Sequence, residues 1–321
     1  MNTRSFLKAI AVGALLATGA ASALAQSWPV RPVRMIVPFP AGSATDMAAR
    51  VVGQQLSTTL GQAFVIDNKP GAEGTIAAME VVRAQPDGYT LLFSSNSAIA
   101  SNVALVKNMQ YDPLKDFTPI AGIAETMLAL MVKADHPAKT VPDLLAYIKA
   151  HHGKVSAGYG SSSSQISIAV LNKLGHTETM SVPYKGIPLA INDTLGGTVD
   201  YTFADLGNAM AQVKGGRMRA LGITSAKRSP LVDWAPIADT LPGFNITAWF
   251  AVVGPNKMPK DVVAKLDGAV AQALAKPEVK EKLAGIGMQP MYLKPEELRP
   301  FMKSEVANWQ HLAHEANIEP Q

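Results

Sequence analysis

The stretch VRMIVPFPAGSATDMAAR, residues 33–50, contains the pattern that decides the fold. Val33–Val37 is a short apolar run of the kind that forms a buried strand. The prolines and Gly42 that follow can continue neither a strand nor a helix. From Thr45 onward, apolar residues recur on one face at a spacing of four, which predicts an amphipathic helix. The stretch therefore predicts a strand, a small-residue loop and a helix in succession.

Strands and helices alternate outward from this stretch along most of the chain. Further strands are predicted at residues 64–66, 89–93, 129–132, 155–157, 199–203 and 220–224. Helices are predicted at residues 45–60, 75–84, 141–150, 262–275 and 296–316, with another through Ile168 and Leu171. Such alternation implies α/β architecture with mostly parallel sheets and right-handed crossovers.

The alternation restarts near residue 129, which divides the chain. We predict two α/β lobes, the second inserted into the first, with a ligand cleft between them. Lobe 1 is expected to comprise residues 26–125 and 248–321, and lobe 2 residues 126–247. The chain is expected to cross between the lobes near residues 120–131 and 244–253.

The N-terminal segment has the features of a secretory signal peptide. Arg4 and Lys8 precede an apolar run at residues 9–18, and Ala23-Leu24-Ala25 supplies a small-x-small cleavage site. The alternative is a membrane anchor, but the run is shorter than the roughly 20 residues that span a bilayer. We therefore expect residues 1–25 to be removed, with cleavage near Ala25, and the protein to be periplasmic.

Composition excludes several classes of protein. The net charge of +4 falls to +2 once Arg4 and Lys8 are removed, and no basic run suits a phosphate backbone. We expect no nucleic-acid partner. The chain has no cysteine, so disulfides, thiolate metal sites, cysteine nucleophiles and a lipid-modified N-terminal cysteine are excluded. With 48% hydrophobic residues, the chain is able to bury a large core.

Two loops share one arrangement, at residues 39–46 and 159–165. Each follows a buried strand, is rich in small residues and leads into a helix. The first turn of a helix presents unpaired N–H groups and partial positive charge, and small residues let a ligand approach. Neither loop contains a basic residue, which favours a carboxylate held by neutral donors. The alternatives are that the loop hydroxyls only cap their helices, or that the serine run is a linker.

No enzyme motif is complete. The run 160–164 lacks the last glycine of a G-x-S-x-G nucleophile elbow, and the run 158–163 lacks the third glycine of a dinucleotide loop. His311 and His314 lack the HExxH spacing of a zinc site. We therefore expect no catalytic residues, no metal and no cofactor, and interpret the chain as a binding protein rather than an enzyme.

Eight blocks of sequence carry a family resemblance. They are WPVRP (28–32), VPFPAG (37–42), NKPGA (68–72), PDGYTLL (86–92), YDPLKDF (111–117), VPYKG (182–186), LGG (195–197) and RALGIT (219–224). In these blocks the chain resembles the Bug receptors, the solute-binding proteins of tripartite tricarboxylate transporters.

The resemblance implies a type II periplasmic-binding fold that closes around a carboxylate. In that family, backbone amides and bound waters from the same two loops meet the carboxylate, and membrane subunits of the transporter are the partners. A monomer is expected. Two positions depart from the family pattern: Gly42-Ser43 replaces a double glycine, and Gln165-Ile166-Ser167 stands where a histidine is usual. Both departures bear on which ligand is bound.

Polar and aromatic residues near the strand ends complete the candidate site. Aromatic walls with neutral polar groups suit an aromatic dicarboxylate such as terephthalate, and an aliphatic di- or tricarboxylate is the alternative. Asp205 would repel a second carboxylate if it faces the cleft, or cap the next helix if it does not. The predicted ligand-binding residues are Phe39, Ala41, Gly42, Ser43, Ala44, Asp46, Ser94, Ser95, Asn96, Ser97, Tyr159, Gly160, Ser161, Ser162, Ser163, Ser164, Tyr184, Lys185, Phe203 and Asp205.

Two other functions stay open from the sequence. A secreted α/β serine hydrolase would use the serine run 161–164 as its source of a nucleophile. A stand-alone carboxylate sensor or scavenger would bind the same ligands without any transporter.

Overall fold

The computed structural model describes residues 28–320, and within that range the chain contains ten strands. The strands are β1 (Val33–Val37), β2 (Phe64–Asn68), β3 (Thr90–Ser95), β4 (Phe117–Lys133), β5 (Ser156–Tyr159), β6 (Met180–Pro183), β7 (Tyr201–Asp205), β8 (Met218–Ile223), β9 (Thr247–Pro255) and β10 (Gln289–Leu293). The predicted signal peptide lies outside the described residues.

Helices connect most of these strands. They are α1 (Ala44–Leu60), α2 (Thr75–Val82), α3 (Asn102–Leu105), α4 (Val141–Ala150), α5 (Ser162–Gly175), α6 (Ile187–Gly196), α7 (Leu206–Lys214), α8 (Lys260–Ala275), α9 (Pro277–Gly285) and α10 (Pro295–Glu315). A π-helical turn, Ser97–Ser101, runs directly into α3. The predicted strands and helices are present near their expected positions, and the sequence pattern missed several short elements, among them β6, β10, α6, α7 and α9.

Strand β4 joins two sheets because it is long enough to belong to both. It has 17 residues, nearly all buried. Its first part, to Met127, pairs antiparallel with β9, and its last part, from Leu128, pairs antiparallel with β7 and β8. Such a continuous apolar run suits a strand covered on both faces.

The two sheets repeat one strand order. In lobe 1 the order is β2-β1-β3-β9-β4, and in lobe 2 it is β6-β5-β7-β4-β8. β1 is parallel to β2 and β3, and β5 is parallel to β6 and β7. The strand that crosses between lobes, β9 or β4, runs antiparallel to its neighbours in each sheet. The predicted two-lobe α/β fold is therefore confirmed, and we propose the lobe boundaries given above on the basis of these crossings.

Helix α1 shows how local sequence sets the edge of the cleft. The Ser43 side chain caps its first turn by accepting a hydrogen bond from the Asp46 N–H. Gly61 ends the helix in a left-handed conformation with φ of 71°, which a glycine adopts without strain. Between them, Ala48, Val52 and Leu56 are buried toward the lobe 1 core. The N-terminus of α1 is thereby held at the carboxyl end of β1.

The C-terminal helix, α10, packs against residues of both lobes. Trp309 of α10 is buried in the largest apolar cluster, which includes residues of both sheets. Glu305 accepts hydrogen bonds from the indole N–H groups of Trp309, at 3.1 Å, and Trp249, at 2.7 Å. Between residues 28 and 320, no helix is both long and apolar enough to cross a membrane.

Replacement of Leu130 in β4 by alanine is expected to destabilise the whole protein. Leu130 is fully buried where β4 pairs with both β7 and β8, so its loss leaves a cavity in the shared strand. We expect a loss of about 2–5 kcal/mol in the free energy of unfolding, measured by chemical denaturation followed by circular dichroism. Val65→Ala on β2, where the side chain is 48% exposed, is the matched control and should change stability by less than about 1 kcal/mol. An equally small effect of Leu130→Ala would contradict this account of β4.

Candidate functional site

A small cavity lies between the lobes, where the carboxyl ends of β1, β3, β5 and β7 meet. We call it the inner cavity. Its volume is about 20 Å³, which is room for one water molecule. It is lined by Phe39, Ser43, Ala44, Thr45, Ser95, Gly160, Ser161, Ser163, Ile187, Asp205, Ala248 and Phe250. Carboxyl ends of strands at a change of strand order are where ligands of open α/β sheets bind.

The first loop is held in shape by Asp46. Its carboxylate accepts hydrogen bonds from the Gly42 N–H at 3.0 Å and from the Arg50 Nε at 3.0 Å. Asn68 donates to the same carboxylate at 3.0 Å and to the Phe39 carbonyl at 2.9 Å. Burial alone would raise the pKa of Asp46, but the hydrogen bonds from Arg50, Gly42 and Asn68 outweigh it and lower the pKa. Asp46 is thus an anion that holds the first loop in place through hydrogen bonds, and it does not line the cavity.

The second loop is shaped by a capping box built only of serines. Ser161 Oγ accepts a hydrogen bond from the Ser164 N–H, and Ser164 Oγ accepts from the N–H groups of Gly160 and Ser161. A Cβ on Gly160 would lie 2.2 Å from the backbone of Gly186. Only glycine permits this close approach of the loop to the start of α6.

Each loop leaves backbone donors without an intrahelical acceptor. In α1 these are the N–H groups of Ala44 and Thr45, and in α5 those of Ser162 and Ser163. The serine caps satisfy only the third position of each helix, Asp46 and Ser164. Two helix N-termini therefore present neutral donors and partial positive charge at the inner cavity.

Helices α6 and α7 also begin at this cavity, with Ile187 and Asp205 among its lining residues. Asp205 is the N-cap residue of α7, but its side chain makes no capping hydrogen bond. It is only 9% exposed, and burial raises its pKa to about 6. Asp205 thus lines the inner cavity, while the nearby Asn208 side chain partly offsets the effect of burial on its pKa.

A network of buried hydroxyls links the two lobes beside the cavity. Ser162 Oγ lies 2.8 Å from Ser97 Oγ and 2.6 Å from Ser101 Oγ. The Asn96 Nδ2 donates to Ser163 Oγ at 3.1 Å. All five side chains are buried, and none of these bonds involves a charged group. The contact between lobes at this point is therefore polar and neutral.

A larger cavity adjoins the first on the solvent side, and we call it the outer cavity. Its volume is about 270 Å³, and it shares Phe39 and Gly160 with the inner cavity. Its other lining residues are Ala72, Glu73, Pro183, Tyr184 and Lys185. The Tyr184 hydroxyl donates a hydrogen bond to Asp193 at 2.7 Å, which fixes the ring at the edge of this cavity.

The structure brings half of the predicted site residues to the two cavities. These are Phe39, Ser43, Ala44, Ser95, Gly160, Ser161, Ser163, Tyr184, Lys185 and Asp205. The others do not line either cavity: Ala41, Gly42, Asp46, Ser94, Asn96, Ser97, Tyr159, Ser162, Ser164 and Phe203.

Several residues of this second group stabilise the loops or the core. Gly42 and Asp46 shape the first loop, and Ser164 shapes the second. Ser94 donates within the chain to the Ser95 carbonyl. Phe203 is fully buried and stacks on Phe244 in the core.

Several lining residues were missed by the sequence reasoning. Thr45 was considered only as the start, or a cap, of a predicted helix, while Ile187, Ala248 and Phe250 belong to segments whose direction into the cleft depends on the fold. Glu73 carried one usable signal, an acidic side chain within the turn-rich segment 69–74. Across residues 28–320, no group of three or more His, Asp or Glu side chains is placed to hold a metal ion.

Comparison with known proteins identifies the family. Residues 48–318 match the model of the tripartite tricarboxylate transporter family receptor. The chain belongs to this receptor family. It is 32% identical to protein BugT of Bordetella pertussis, over 98% of each chain. The expected relationship to the Bug receptors is thereby confirmed.

Solved structures of relatives agree with the two-lobe fold. R. palustris Rpa4515 with adipate is 34% identical, with a TM-score of 0.89 over 92% of this receptor and 100% of that chain. Periplasmic binding protein BugD is 32% identical, with a TM-score of 0.87 over 92% and 100%. MatC from Rhodopseudomonas palustris with bound malate is 32% identical, with a TM-score of 0.83 over 89% and 99%. Members of the family are solute-binding proteins.

Asp46→Asn is expected to cost about 1–3 kcal/mol of stability at pH 7, because a buried hydrogen-bonded charge is lost. The folded pKa of Asp46 lies below the unfolded value of about 3.9, so its contribution is complete above pH 4 and is lost as pH falls through the folded value. The deficit of the variant should therefore shrink in acid, measured by denaturant unfolding between pH 3 and 7. Asp87→Asn, which alters an exposed ion pair with Arg31, is the control and should matter little at any pH. A deficit that does not depend on pH would contradict this role.

Asp205→Asn is expected to have the opposite pH dependence. The folded pKa of about 6 lies above the unfolded value of about 3.9, so the ionised carboxylate destabilises the fold as pH rises through that window. The variant should gain up to about 1–3 kcal/mol over the wild type at pH 7.5 and nothing at pH 4, in the same unfolding assay. Asp239→Asn, at an exposed ion pair, should show no such gain. If Asp205→Asn lowers stability at pH 7.5, the ionised carboxylate stabilises the fold, for instance through the nearby Asn208, and this account of Asp205 is wrong.

Proposed function

We propose that this receptor is a periplasmic protein that captures a small carboxylate between its lobes and delivers it to the membrane subunits of a tripartite transporter. The observation that carries the proposal is the pair of facing helix N-termini at the inner cavity. Ala44 and Thr45 from lobe 1 and Ser163 from lobe 2 line this cavity and have N–H groups without an intrahelical acceptor. A carboxylate between them accepts from both lobes at once and so favours the closed form.

The charge of the inner cavity fits a carboxylate better than a phosphate. No Lys or Arg side chain is among its lining residues, while α1, α5, α6 and α7 all begin at it. Each helix N-terminus contributes roughly half a positive charge, without the strong field of a basic clamp. Asp205 subtracts from this field, so the inner cavity suits one carboxylate rather than two.

The volumes of the two cavities suggest which part of the ligand each one holds. The inner cavity, at about 20 Å³, has room for little more than one oxygen-sized group of the ligand, whereas the outer cavity, at about 270 Å³, accommodates the rest of a small solute. Of the predicted aromatic walls, Tyr159 and Phe203 are buried away from both cavities. Because only Phe39 and Tyr184 of the predicted aromatic residues line a cavity, we favour an aliphatic acid over terephthalate. The adipate and malate in the structures of two relatives support the same ligand class.

The surroundings of the serine run argue against the hydrolase alternative. The hydroxyls of Ser162 and Ser163 bond to Ser97, Ser101 and Asn96. The Ser161 hydroxyl donates to the Ser164 hydroxyl, which donates to the Ser161 carbonyl. Among the described residues none of these hydroxyls hydrogen-bonds a histidine or a carboxylate, which a serine nucleophile requires. We therefore propose binding without turnover.

The binding class is tested by a thermal-shift screen of the mature protein, from Gln26 onward, with aliphatic, aromatic and amino-acid carboxylates. A ligand at a concentration 100 times its Kd adds about 2.7 kcal/mol, which raises the unfolding midpoint by several degrees. We expect a clear shift with one class of carboxylate and none with the corresponding amide.

The same preparation provides the opposing test. It is incubated with 4-nitrophenyl esters and with a serine-directed reagent. No shift with any acid, together with ester turnover that Ser161→Ala abolishes, would overturn the receptor proposal in favour of a hydrolase.

A further inference from the structure

The outer cavity contains a carboxyl group without a partner. Glu73 lines this cavity from lobe 1, opposite Tyr184 and Lys185 of lobe 2. Its Oε2 atom is shielded from solvent and accepts no hydrogen bond from the described residues. Buried carboxylate oxygens are normally hydrogen-bonded, because an unmet acceptor is costly. Since this oxygen lies at the wall of the outer cavity, a hydrogen-bond donor on the ligand would satisfy it.

We propose that Glu73 is a specificity-determining residue that receives an ammonium group at the far end of the bound carboxylate. The inference rests on the proposed carboxylate-binding function and names its substrate class: acids that also bear an amine, of the ω-amino acid type. The carboxylate lies at the helix N-termini of the inner cavity, and the amine lies at Glu73 in the outer cavity.

The backbone holds Glu73 in an unusual conformation at the cavity wall. Ala72 and Glu73 have φ of 45° and 52°, in the left-handed region that non-glycine residues seldom occupy. Asn102, itself buried, donates a hydrogen bond to the Glu73 carbonyl at 2.9 Å. The main chain is thus fixed from lobe 1 while the carboxyl group has no bond of its own. Non-glycine residues in this region cluster at ligand sites, which agrees with the position of Glu73 at the cavity wall.

The charges around Glu73 favour a cation over a second anion. Burial raises the pKa of Glu73 to about 7, and the nearby carboxyl in turn adds to the burial that raises the pKa of Tyr159. Lys185 is the one cation that lines this cavity, but it is exposed and makes no ion pair with residues 28–320. The charge of an exposed lysine is screened by water, whereas a shielded carboxylate interacts strongly with a charge beside it. A dicarboxylate would therefore place its second anion against Glu73, and an amino acid would place a cation there.

The experiment compares ligands that differ only at the far end. Adipate and 6-aminohexanoate have the same chain length, as do glutarate and 5-aminopentanoate, and each pair shares the carboxylate. Kd values are measured by isothermal titration calorimetry for the wild type, for Glu73→Gln and, as the matched control in the same cavity, for Lys185→Gln. Because the ratio of the two Kd values within a pair cancels the shared carboxylate, it reports on the far end alone.

The wild type is expected to bind the amino acid of at least one pair more tightly than the dicarboxylate. Glu73→Gln should shift the Kd ratio toward the dicarboxylate by about tenfold, as loss of a shielded charge pair predicts. Lys185→Gln should shift it by less than about threefold, in the opposite direction. The midpoint of ligand-free Glu73→Gln at pH 8 should not fall below the wild-type value, because no bond within the protein is removed.

The outcomes separate this inference from the proposed function. If dicarboxylates bind and Glu73→Gln leaves the ratio unchanged, the assignment to Glu73 is overturned and the carboxylate receptor stands. If neither series binds the wild type, the inference fails, and the proposed function fails as well only when the wider carboxylate screen is also negative. A lowered midpoint of ligand-free Glu73→Gln would also contradict the inference, since it would show that the carboxyl serves the fold.

Discussion

The first turn of a helix contains N–H groups that the helix cannot satisfy, and the architecture of this receptor gathers four such turns around one cavity. Helices α1, α5, α6 and α7 each follow a strand whose carboxyl end faces the cleft. This is possible because both sheets have the same strand order and share β4. The fold thereby creates a site for negative charge without placing any lysine or arginine at the inner cavity.

Acidic side chains near the two cavities affect which anions the positive potential of the helix N-termini attracts. Asp205 reduces the positive potential of the inner cavity, and Glu73 adds a second negative group in the outer one. Specificity is a difference between affinities, and a repelling group contributes to it as much as an attracting one. Under the proposed function, the helix N-termini would attract one carboxylate, and the two acidic side chains would disfavour a second.

The neutral contact between the lobes suits a protein that must open. Hydrogen bonds between hydroxyls, such as those of Ser162 with Ser97 and Ser101, each contribute only about 1 kcal/mol net, because water replaces them when the lobes separate. A ligand that bonds both lobes is then able to shift the balance toward the closed form by its own differential affinity.

The sequence was informative where function depends on local pattern. The strand-loop-helix arrangement at residues 39–46 and 159–165 predicted both walls of the inner cavity, and Asp205 followed from its position after a strand. The sequence was uninformative where side chains from distant segments meet. Asn96 and Ser97 look like site residues, yet the π-helical turn at Ser97–Ser101 directs them into the contact between lobes. Ile187 approaches the cleft only because the lobes face each other, which no local pattern encodes, and Glu73 had only its place in the turn-rich segment 69–74 as a signal.

Closure on a carboxylate is the central claim, and the absence of cysteine in the chain makes a direct measurement possible. Ile76→Cys in α2 and Leu189→Cys in α6 place one exposed labelling site on each lobe. Energy transfer between dyes at these positions is measured with saturating adipate, malate or 6-aminohexanoate, and with adipamide as the control. The account predicts that transfer changes to a new, saturable value with at least one carboxylate and not with the amide. Ligand binding detected by calorimetry without any change in transfer would contradict it.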